Sequence, residues 1–272
     1  MSFDVDPVGV WSEDVGFDVT ADSILAYAAA TNDPSPRYAE AGIAPPVYAV
    51  VPMWQALHLA RDPVVSAAAQ PHVLHGSHDI HIHSPLRAGD AAVSRAQVTG
   101  IHPKSSGTIV TLLTRTEVGG ELRNEQYMTL FYRGVEFDRE AGELAPPVPA
   151  ADGELDEQTS VAVDRDQTFR YADASSDRMP IHLDDEVARR YGLSGIIVHG
   201  LCTLAMSTGA LVEALEIDEV ERVSRVAVRF SQPLTPDQQL LVRYARDNGG
   251  YRFEAANAAG ETVLKSGRLE AR

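Results

Sequence analysis

Two side chains that could exchange protons lie close together in residues 171–200. Asp177 and His182 are five positions apart, and Pro180 stands between them. Because proline interrupts a regular helix, these side chains can meet only across a loop. A carboxylate and an imidazole in a partly dry cleft can hold one water molecule, so that one group accepts a proton while the other donates one. The pair is a candidate acid–base site.

A group that could stabilise negative charge follows on the same stretch. Residues 196–199 lead into Gly200, after which apolar residues recur with helical spacing, which predicts a helix over 200–216. The apolar face comprises Leu201, Leu204, Ala205, Thr208, Leu211, Val212 and Leu215. The N–H of Gly200 would lie in the first turn, unpaired within the helix and at the positive end of its dipole. Such a donor can stabilise an oxyanion.

An internal repeat strengthens the assignment of this pair. Residues 27–38 align without gaps on residues 171–182, and Asp33 matches Asp177 whereas Tyr38 matches His182. An aspartate near a helix end is usually a cap, and a lone histidine is usually a satisfied polar residue. The first copy nevertheless manages without the imidazole. The second copy therefore carries a group beyond structural need.

The repeat also predicts how the chain is organised. A second match, of Pro85-Leu86 with Pro233-Leu234, keeps the same order in both halves. In each half, helical segments precede several strands with glycine turns between them. We therefore predict an α+β fold in which two antiparallel sheets each wrap around a long helix and form a pseudo-dimer. The predicted boundaries are 1–145 for the first half, 146–160 for a linker rich in proline and acidic residues, and 161–272 for the second half.

Composition excludes several classes of protein. The 272 residues are 44% hydrophobic and 23% charged, which is typical of a globular protein. A formal net charge of −16 disfavours nucleic acid and anionic membranes as general partners. No apolar run approaches the roughly 20 residues that span a bilayer, and the acidic start does not resemble a signal peptide. With Cys202 as the single cysteine, these features predict a cytoplasmic protein.

The motif residues together resemble a known signature. They are Tyr171, Ser176, Asp177, Pro180, His182, Asp184, His199 and Gly200. Their order and spacing resemble the R-specific enoyl-CoA hydratases of the MaoC-like dehydratase family. The resemblance implies a double hot-dog fold, in which a first half with a degenerate site binds the acyl chain and the second half carries the chemistry. It covers nearly the whole chain, because 44–46, 75–76, 85–86 and 131–134 also look like family segments.

The resemblance implies a reaction and a set of site residues. The reaction is the reversible hydration of trans-2-enoyl-CoA to (R)-3-hydroxyacyl-CoA, catalysed by Asp177, His182 and Gly200. Substrate-binding residues would be Tyr171, Ser176, Met179, Asp184 and His199. Arginines would hold the phosphates of CoA, helped by Lys104 in the loop 102–107. No cofactor beyond the CoA of the substrate is expected, and a homodimer is compatible with the fold.

One residue departs from the family pattern and leaves other functions open. Met179 stands where the family usually has asparagine, so an amide that could hydrogen-bond in the catalytic loop is missing. The first alternative is a dehydratase for acyl thioesters on acyl carrier protein or for specialised steroid or branched acyl groups. The second is a non-catalytic subunit that binds acyl thioesters. The retention of both Asp177 and His182 favours an enzyme.

A cluster of histidines has two interpretations. His72, His75, His78, His81 and His83 place five of the nine histidines in twelve residues, a density that metal sites can show. Residues 79–83, however, alternate isoleucine with polar residues, which is typical of a strand with one buried face. No cysteine accompanies them, and spacing without ligand geometry is weak support. We predict no metal site.

Overall fold

One antiparallel sheet runs through both halves of the chain. This computed structural model describes residues 2–33, 35–148 and 153–272, within which eleven strands pair. The strands are β1 Val15–Asp18, β2 Val73–Ile82, β3 Ala91–Lys104, β4 Gly107–Val118, β5 Glu121–Arg133, β6 Ala141–Gly142, β7 Glu157–Val163, β8 Val223–Phe230, β9 Gln238–Asp247, β10 Gly250–Ala256 and β11 Thr262–Ala271. Their order is β1-β3-β4-β5-β2-β8-β11-β10-β9-β7, and β6 pairs with β3.

The two halves meet edge to edge where β2 pairs with β8. Asp79 lies opposite Ala227, 148 positions away, and this is the offset of the repeat at Pro85 and Pro233. An approximate two-fold axis therefore passes through this pair and exchanges the two halves. Arg225 of β8 donates two hydrogen bonds to the buried Asp79 carboxylate across the same junction, with nitrogen–oxygen distances of 2.9 and 2.7 Å. The predicted edge-to-edge pseudo-dimer is confirmed.

Short helices and one long helix cover a face of the sheet. They are α1 Ala21–Ala30, α2 Pro36–Ala41, α3 Trp54–Arg61, α4 Gln167–Ser175, α5 Asp185–Arg190 and α6 Gly200–Ala214, with 3₁₀ helices at Pro46–Val50, Gln70–His72, Pro180–His182 and Val220–Arg222. Helix α6 begins where the apolar spacing predicts and ends two residues earlier. It is buried against β7, β8, β9, β11 and the 3₁₀ helix Pro46–Val50. None of the helices in the described ranges has the length and apolar character needed to cross a membrane.

The expectation of a long helix in each half is wrong for the first half. In the first half, the segment equivalent to α6 is divided into the 3₁₀ helix Pro46–Val50 and the eight-residue α3, whereas α6 is one helix of fifteen residues. Pro52 lies between the two pieces, where it cannot donate an i to i−4 hydrogen bond. Pro63 follows the last turn of α3. These prolines explain why the first half has a broken helix at this place.

The predicted linker 146–160 is too long at its carboxyl end. Residues 157–160 belong to β7, which pairs with β9 at the far edge of the sheet. Along this strand the more buried residues, Thr159, Val161 and Val163, alternate with exposed ones. An edge strand with only one buried face is partly polar, so its composition resembles that of a linker. Residues 149–152 of the predicted linker lie outside the described residues.

Candidate active site

A tight turn after α4 delivers Asp177 to the site. Ser176 ends the helix in the left-handed conformation, with φ of 65°, and its N–H donates to the carbonyl of Ala172. The chain then leaves the helix axis, and the 3₁₀ helix Pro180–His182 brings it back. Asp177 and His182 thus come together across a loop that Pro180 keeps out of a continuous helix, as the sequence predicts.

The carboxylate of Asp177 is held by its own loop. Its backbone N–H donates to the hydroxyl oxygen of Ser175 at 3.2 Å, and its Oδ1 accepts from the N–H of Met179 at 3.2 Å. Bonds of this kind between a side chain and nearby backbone fix an Asx-type turn. One carboxylate oxygen remains free of this turn and available to the site.

The imidazole of His182 has a defined tautomer. Its Nδ1 lies 2.8 Å from the carbonyl oxygen of Ile197, and because a carbonyl only accepts, Nδ1 carries the hydrogen. In the neutral ring, Nε2 therefore presents a lone pair. Only 7% of His182 is exposed. The residue is a buried base whose accepting nitrogen is set by the 196–200 segment.

His199 supports both members of the pair. Its ring stacks on His182 with centroids 3.8 Å apart and planes 27° apart. Its Nε2–H donates to the backbone carbonyl of Asp177 at 2.9 Å. Tyr171, fully buried in α4, packs on the His199 ring with a centroid distance of 4.9 Å. His199 and Tyr171 thus hold the loop that carries Asp177 and His182 in place.

The three polar groups nearly converge. Asp177, His182 and His199 each offer one proton-binding or ligand atom, and these atoms lie within 4.8 Å of one another. Imidazole lone pairs lie in the ring planes, so two rings stacked at 27° direct them along nearly parallel planes. A zinc ion requires ligands at tetrahedral angles. The arrangement suits a held water molecule better than a shared metal ion.

Burial shifts the pKa values of the three titratable groups at this site. Desolvation raises the pKa of Asp177, opposed by His182, the Met179 N–H and His58. Desolvation lowers the pKa of His182, opposed by Asp177 and the Ile197 carbonyl. Burial, with repulsion from His182, lowers the pKa of His199 to about 2. Both shifts in the acid–base pair favour neutral forms, which eases the passage of a proton in either direction.

Gly200 is the first residue of α6 and lies beside this group. The N-cap residue His199 makes no side-chain hydrogen bond to the first turn, so its side chain does not compete for the helix N–H groups. A Cβ at position 200 would lie 2.9 Å from Cε1 of Phe230, which explains why this position suits glycine. The N–H of Gly200 is therefore placed at the positive end of a fifteen-residue helix.

Comparison with known proteins assigns both halves. The family model described as "MaoC like domain" matches residues 148–266, and the model described as "FAS1-like, dehydratase domain region" matches residues 6–126. The chain is 32% identical over 212 residues to 3-hydroxyacyl-thioester dehydratase Y of Mycobacterium tuberculosis, covering 73% of this chain and 72% of that protein. The chain belongs to the MaoC-like dehydratase family. It is therefore a hydro-lyase, as predicted.

Other relatives and solved structures agree with this membership. Probable enoyl-CoA hydratase 2 of Dictyostelium discoideum is 24% identical over 201 residues, which cover 72% of this chain and 68% of that protein. A MaoC-like dehydratase from Phytophthora capsici superposes with a TM-score of 0.86 at 22% identity over 99% of both chains. A Mycobacterium tuberculosis protein described as having a double hotdog fold superposes with a TM-score of 0.67 at 14% identity, covering 96% of this chain and 95% of that chain. These likenesses confirm the predicted double hot-dog fold.

The first half of this MaoC-like dehydratase lacks the chemical groups of the second. Tyr38 stands in place of His182, and its hydroxyl donates to Oδ2 of Asp33 at 2.5 Å. The carboxylate of Asp33 also packs on α6, because a Cβ at Gly209 would lie 2.8 Å from its Oδ2. The first-copy carboxylate is thus engaged in the packing between the halves.

Two prolines replace the rest of the site in the first half. The N–H of Ala44 donates to the carbonyl of Leu86, as the N–H of Val198 donates to that of Leu234. Because Leu86 and Leu234 are equivalent in the repeat, Ala44 matches Val198, and the next two residues match as well. Pro45 then occupies the place of His199, and Pro46 the place of Gly200. Proline has no N–H, so the first half cannot provide this oxyanion donor.

The remaining predicted site residues are placed differently from one another. Ser176 and Met179 belong to the catalytic loop, and 41% of Met179 is exposed. Asp184 caps α5, since its Oδ1 accepts from the N–H groups of Glu186 and Val187. Lys104 is exposed at the turn between β3 and β4. The substrate-binding roles of Ser176, Met179, Asp184 and Lys104, and those of Tyr171 and His199, stay predictions.

Two residues of the first half that sequence reasoning did not assign to the site lie near it. His58 of α3 interacts electrostatically with Asp177 and lowers the pKa of that carboxyl group. His75 of β2 contacts Phe230, whose ring lies against Gly200. Both come from the other half of the chain, so their approach to the site depends on packing between the halves, although residues 75–76 resemble a family segment. Of the five clustered histidines, His75, His78 and His81 lie in β2, where His78 binds Gln126 and His81 lies 3.3 Å from Asp79.

Proposed function

We propose that the protein catalyses the reversible hydration of trans-2-enoyl-CoA to (R)-3-hydroxyacyl-CoA. The observation that carries this proposal is that Asp177, the lone-pair nitrogen of His182 and the first N–H of α6 are assembled in one half only. The hydratase and dehydratase names of the relatives support it. Syn addition and the R configuration follow from the family resemblance.

Asp177 and His182 would act together on the water molecule. Hydration breaks one O–H bond of water, forms a C–O bond at C3 and places a proton on C2. One member of the pair takes the proton from water, and the pair returns a proton to C2 on the same face. Because the two groups are buried and interact, the proton belongs to the pair rather than to either residue.

The helix α6 would stabilise the charge that develops on the substrate. As water adds at C3, negative charge moves toward the thioester oxygen, giving an enolate-like state. The N–H of Gly200 and the dipole of α6 favour that charge at the amino end of the helix. Restriction to one half follows, because the equivalent Pro46 has no hydrogen to donate.

The other expectations complete the proposal. The acyl chain would lie toward the first half, whose broken helix leaves α3 short. Net addition of water involves no change in redox state, so the reaction needs no redox cofactor, and CoA takes part only as the acyl carrier of the substrate. Arginines with Lys104 would hold the CoA phosphates. Assembly as a homodimer and a cytoplasmic location belong to the same proposal.

An absorbance assay of the purified protein tests the function. Crotonyl-CoA and a longer trans-2-enoyl-CoA should lose the absorbance of the conjugated thioester, and chiral analysis should find the R product. Asp177→Asn should abolish most of this rate, whereas Asp33→Asn, its matched control, should retain it. Absence of hydration with crotonyl-CoA and the longer enoyl-CoA would contradict the proposal. Activity restricted to acyl carrier protein thioesters would identify the first alternative instead.

A further inference from the structure

Two aromatic side chains beside Gly200, one from each half of the chain, form a wall of the candidate site. Phe230, the last residue of β8, lies against Gly200, since a Cβ there would come within 2.9 to 3.4 Å of three of its ring atoms. The Phe230 ring also contacts the ring of His75, with centroids 4.4 Å apart. Phe230 and His75 are both half-buried. This aromatic pair, Phe230 with His75, therefore borders the place where the thioester oxygen would bind.

A β-bulge directs His75 toward this place. In the pairing of β2 with β5, His75 lies opposite Leu130 and Ser77 lies opposite Thr129, which leaves Gly76 as the extra residue. In a regular strand, residues 75 and 78 would face opposite sides. The bulge places them on the same side, and His75 Nε2 lies 3.3 Å from His78 Nδ1. Bulges next to active sites commonly re-aim a side chain in this way.

A buried chain of hydrogen bonds holds His75 in position. The side-chain amide of Gln126 donates to the carbonyl of Ala49 at 2.7 Å and to Oδ1 of Asn124 at 2.9 Å. Its oxygen therefore accepts from Nε2–H of His78 at 2.9 Å, which leaves His78 Nδ1 to accept from His75. His78 is fully buried. The orientation of His75 is thus anchored in the core of the first half.

The two-fold counterpart of this wall is closed. The offset of 148 relates His75 to Val223 and Phe230 to Ile82. Beside the degenerate site, Val223 of the second half and Ile82 of the first half line a cavity next to Pro46 whose volume is only about 10 Å³. That is room for a single water molecule at most. The larger, partly polar pair of Phe230 and His75 is therefore particular to the site of Asp177 and His182, although His75 itself belongs to the first half.

We propose that Phe230, held in place by His75, packs against the thioester end of the substrate and excludes a substituent at C2. The proposal rests on the hydratase function proposed above. Because Phe230 touches Gly200 itself, the atoms it can reach are those next to the bound carbonyl, C1 and C2, rather than the end of the acyl chain. The preferred substrates are then 2-enoyl thioesters without a branch at C2. His75 acts as a positioning residue for Phe230.

The experiment compares kcat/KM for crotonyl-CoA, its 2-methyl derivative and a longer unbranched trans-2-enoyl-CoA. A single methyl group that must be accommodated changes discrimination by roughly tenfold or more. We expect the wild type to favour crotonyl-CoA over the 2-methyl substrate by about that factor. Phe230→Ile removes the aromatic ring and His75→Val removes its support, so each should raise the ratio of branched to unbranched activity by about tenfold. The ratio of long to short unbranched substrates should stay constant.

Further variants distinguish steric exclusion by Phe230 from a general loss of structure. His75→Gln keeps an N–H donor toward His78 and should retain most of the discrimination, whereas His75→Val should not. In a Phe230→Ile background, His75→Val should add nothing, because it acts through Phe230. Ile82→Ala and Val223→Ala, the two-fold controls, should lower thermal stability without changing the substrate ratio. Phe230→Leu provides the same test if Phe230→Ile does not fold.

Defined outcomes overturn the proposal. An active wild type with the same branched to unbranched ratio in the Phe230 variants contradicts the wall, while leaving the hydratase function intact. A change confined to the ratio of long to short substrates places Phe230 at the end of the acyl chain. Additive effects of His75→Val and Phe230→Ile contradict the positioning role of His75. A wild type without activity on these enoyl-CoA substrates contradicts both this inference and the function on which it rests.

Discussion

Pro46 and Gly200 occupy equivalent positions in the two halves, and only Gly200 has a backbone N–H. The equivalence follows from matching hydrogen bonds of Ala44 to Leu86 and of Val198 to Leu234. Gly200 begins a continuous helix, whereas Pro46 begins a 3₁₀ helix that Pro52 separates from α3. A single pair of positions thus distinguishes a half that can stabilise an oxyanion from one that cannot.

Removal of either acid–base group should lower turnover without unfolding the protein. Asp177→Asn and His182→Gln should each reduce kcat by roughly 10²-fold or more, as for other positioned acid–base groups. Because burial raises the pKa of Asp177, its charge is unfavourable in the folded state, and Asp177→Asn should keep or raise the thermal midpoint. Steady-state kinetics and thermal unfolding provide the measurements. If Asp33→Asn lowered kcat as much as Asp177→Asn, the assignment of a single site would be contradicted.

Gly200→Ala should impair catalysis through Phe230. The added Cβ would meet the Phe230 ring at 2.9 Å, so either the ring or the start of α6 must move. Displacement of the N–H weakens its hydrogen bond to the oxyanion, and we expect kcat to fall by about tenfold, less than the roughly 10²- to 10³-fold loss when such a donor is removed altogether. Phe230→Leu in the same chain should recover part of the rate. If the double variant is no faster than Gly200→Ala, the clash is not the cause.

Acid should destabilise the fold through buried histidines. His199 has its pKa lowered to about 2, so between pH 6.5 and that value the unfolded chain binds a proton that the folded chain does not. Stability then decreases as pH falls, by about 1.4 kcal/mol per pH unit for one such group. The lowered pKa values of His182 and His78 act in the same direction, whereas the raised pKa of Asp177 opposes them at pH values above 3.8.

Urea unfolding of the wild type and His199→Asn measures this dependence. Asparagine can keep an N–H donor toward the Asp177 carbonyl but does not titrate. Between pH 7.5 and pH 5, the wild type should lose about 2 kcal/mol more stability than His199→Asn. Equal losses in the two proteins would show that His199 binds a proton in the folded state.

Met179→Asn should reveal what the loop side chain does. Met179 is 41% exposed, and its N–H already holds the carboxylate of Asp177. If the thioether lines the pocket for a bulky acyl group, asparagine makes apolar space polar. Activity on bulky enoyl-CoA should then fall while crotonyl-CoA is spared or improved. Equal changes in kcat/KM for both substrates would contradict a specialised pocket.

Charge-based capture of CoA should depend on salt. A protein with net charge −16 must concentrate positive charge locally to bind a polyanion, and exposed contacts weaken as salt screens them. We expect KM for crotonyl-CoA to rise with ionic strength and Lys104→Gln to flatten that rise. Lys265→Gln on β11 is the matched control. An unchanged KM across the salt range would argue against this mode of binding.

Much of the fold follows from local pattern and repetition. The strands of both meanders, the start of α6 at Gly200 and the offset of 148 at the junction can all be predicted, because each depends on neighbouring residues or on the repeat itself. The first four residues of β7, 157–160, resemble a linker in composition because one face of this edge strand is exposed and polar. The repeat predicts the same helix in both halves, whereas the break in the first half arises from Pro46 and Pro52, which have no proline counterpart in α6.

The amino-acid sequence alone identifies the chemical groups, the loop that joins Asp177 to His182 and the half that carries them. Residue type and spacing suffice for this, since a proline between the two side chains excludes a helix and the repeat identifies what is extra. Packing in the folded chain sets the tautomer of His182, the stacking of His199 and the contribution of His75 from the other half. These depend on packing between segments that are distant in the chain, where no local pattern records which side chains meet.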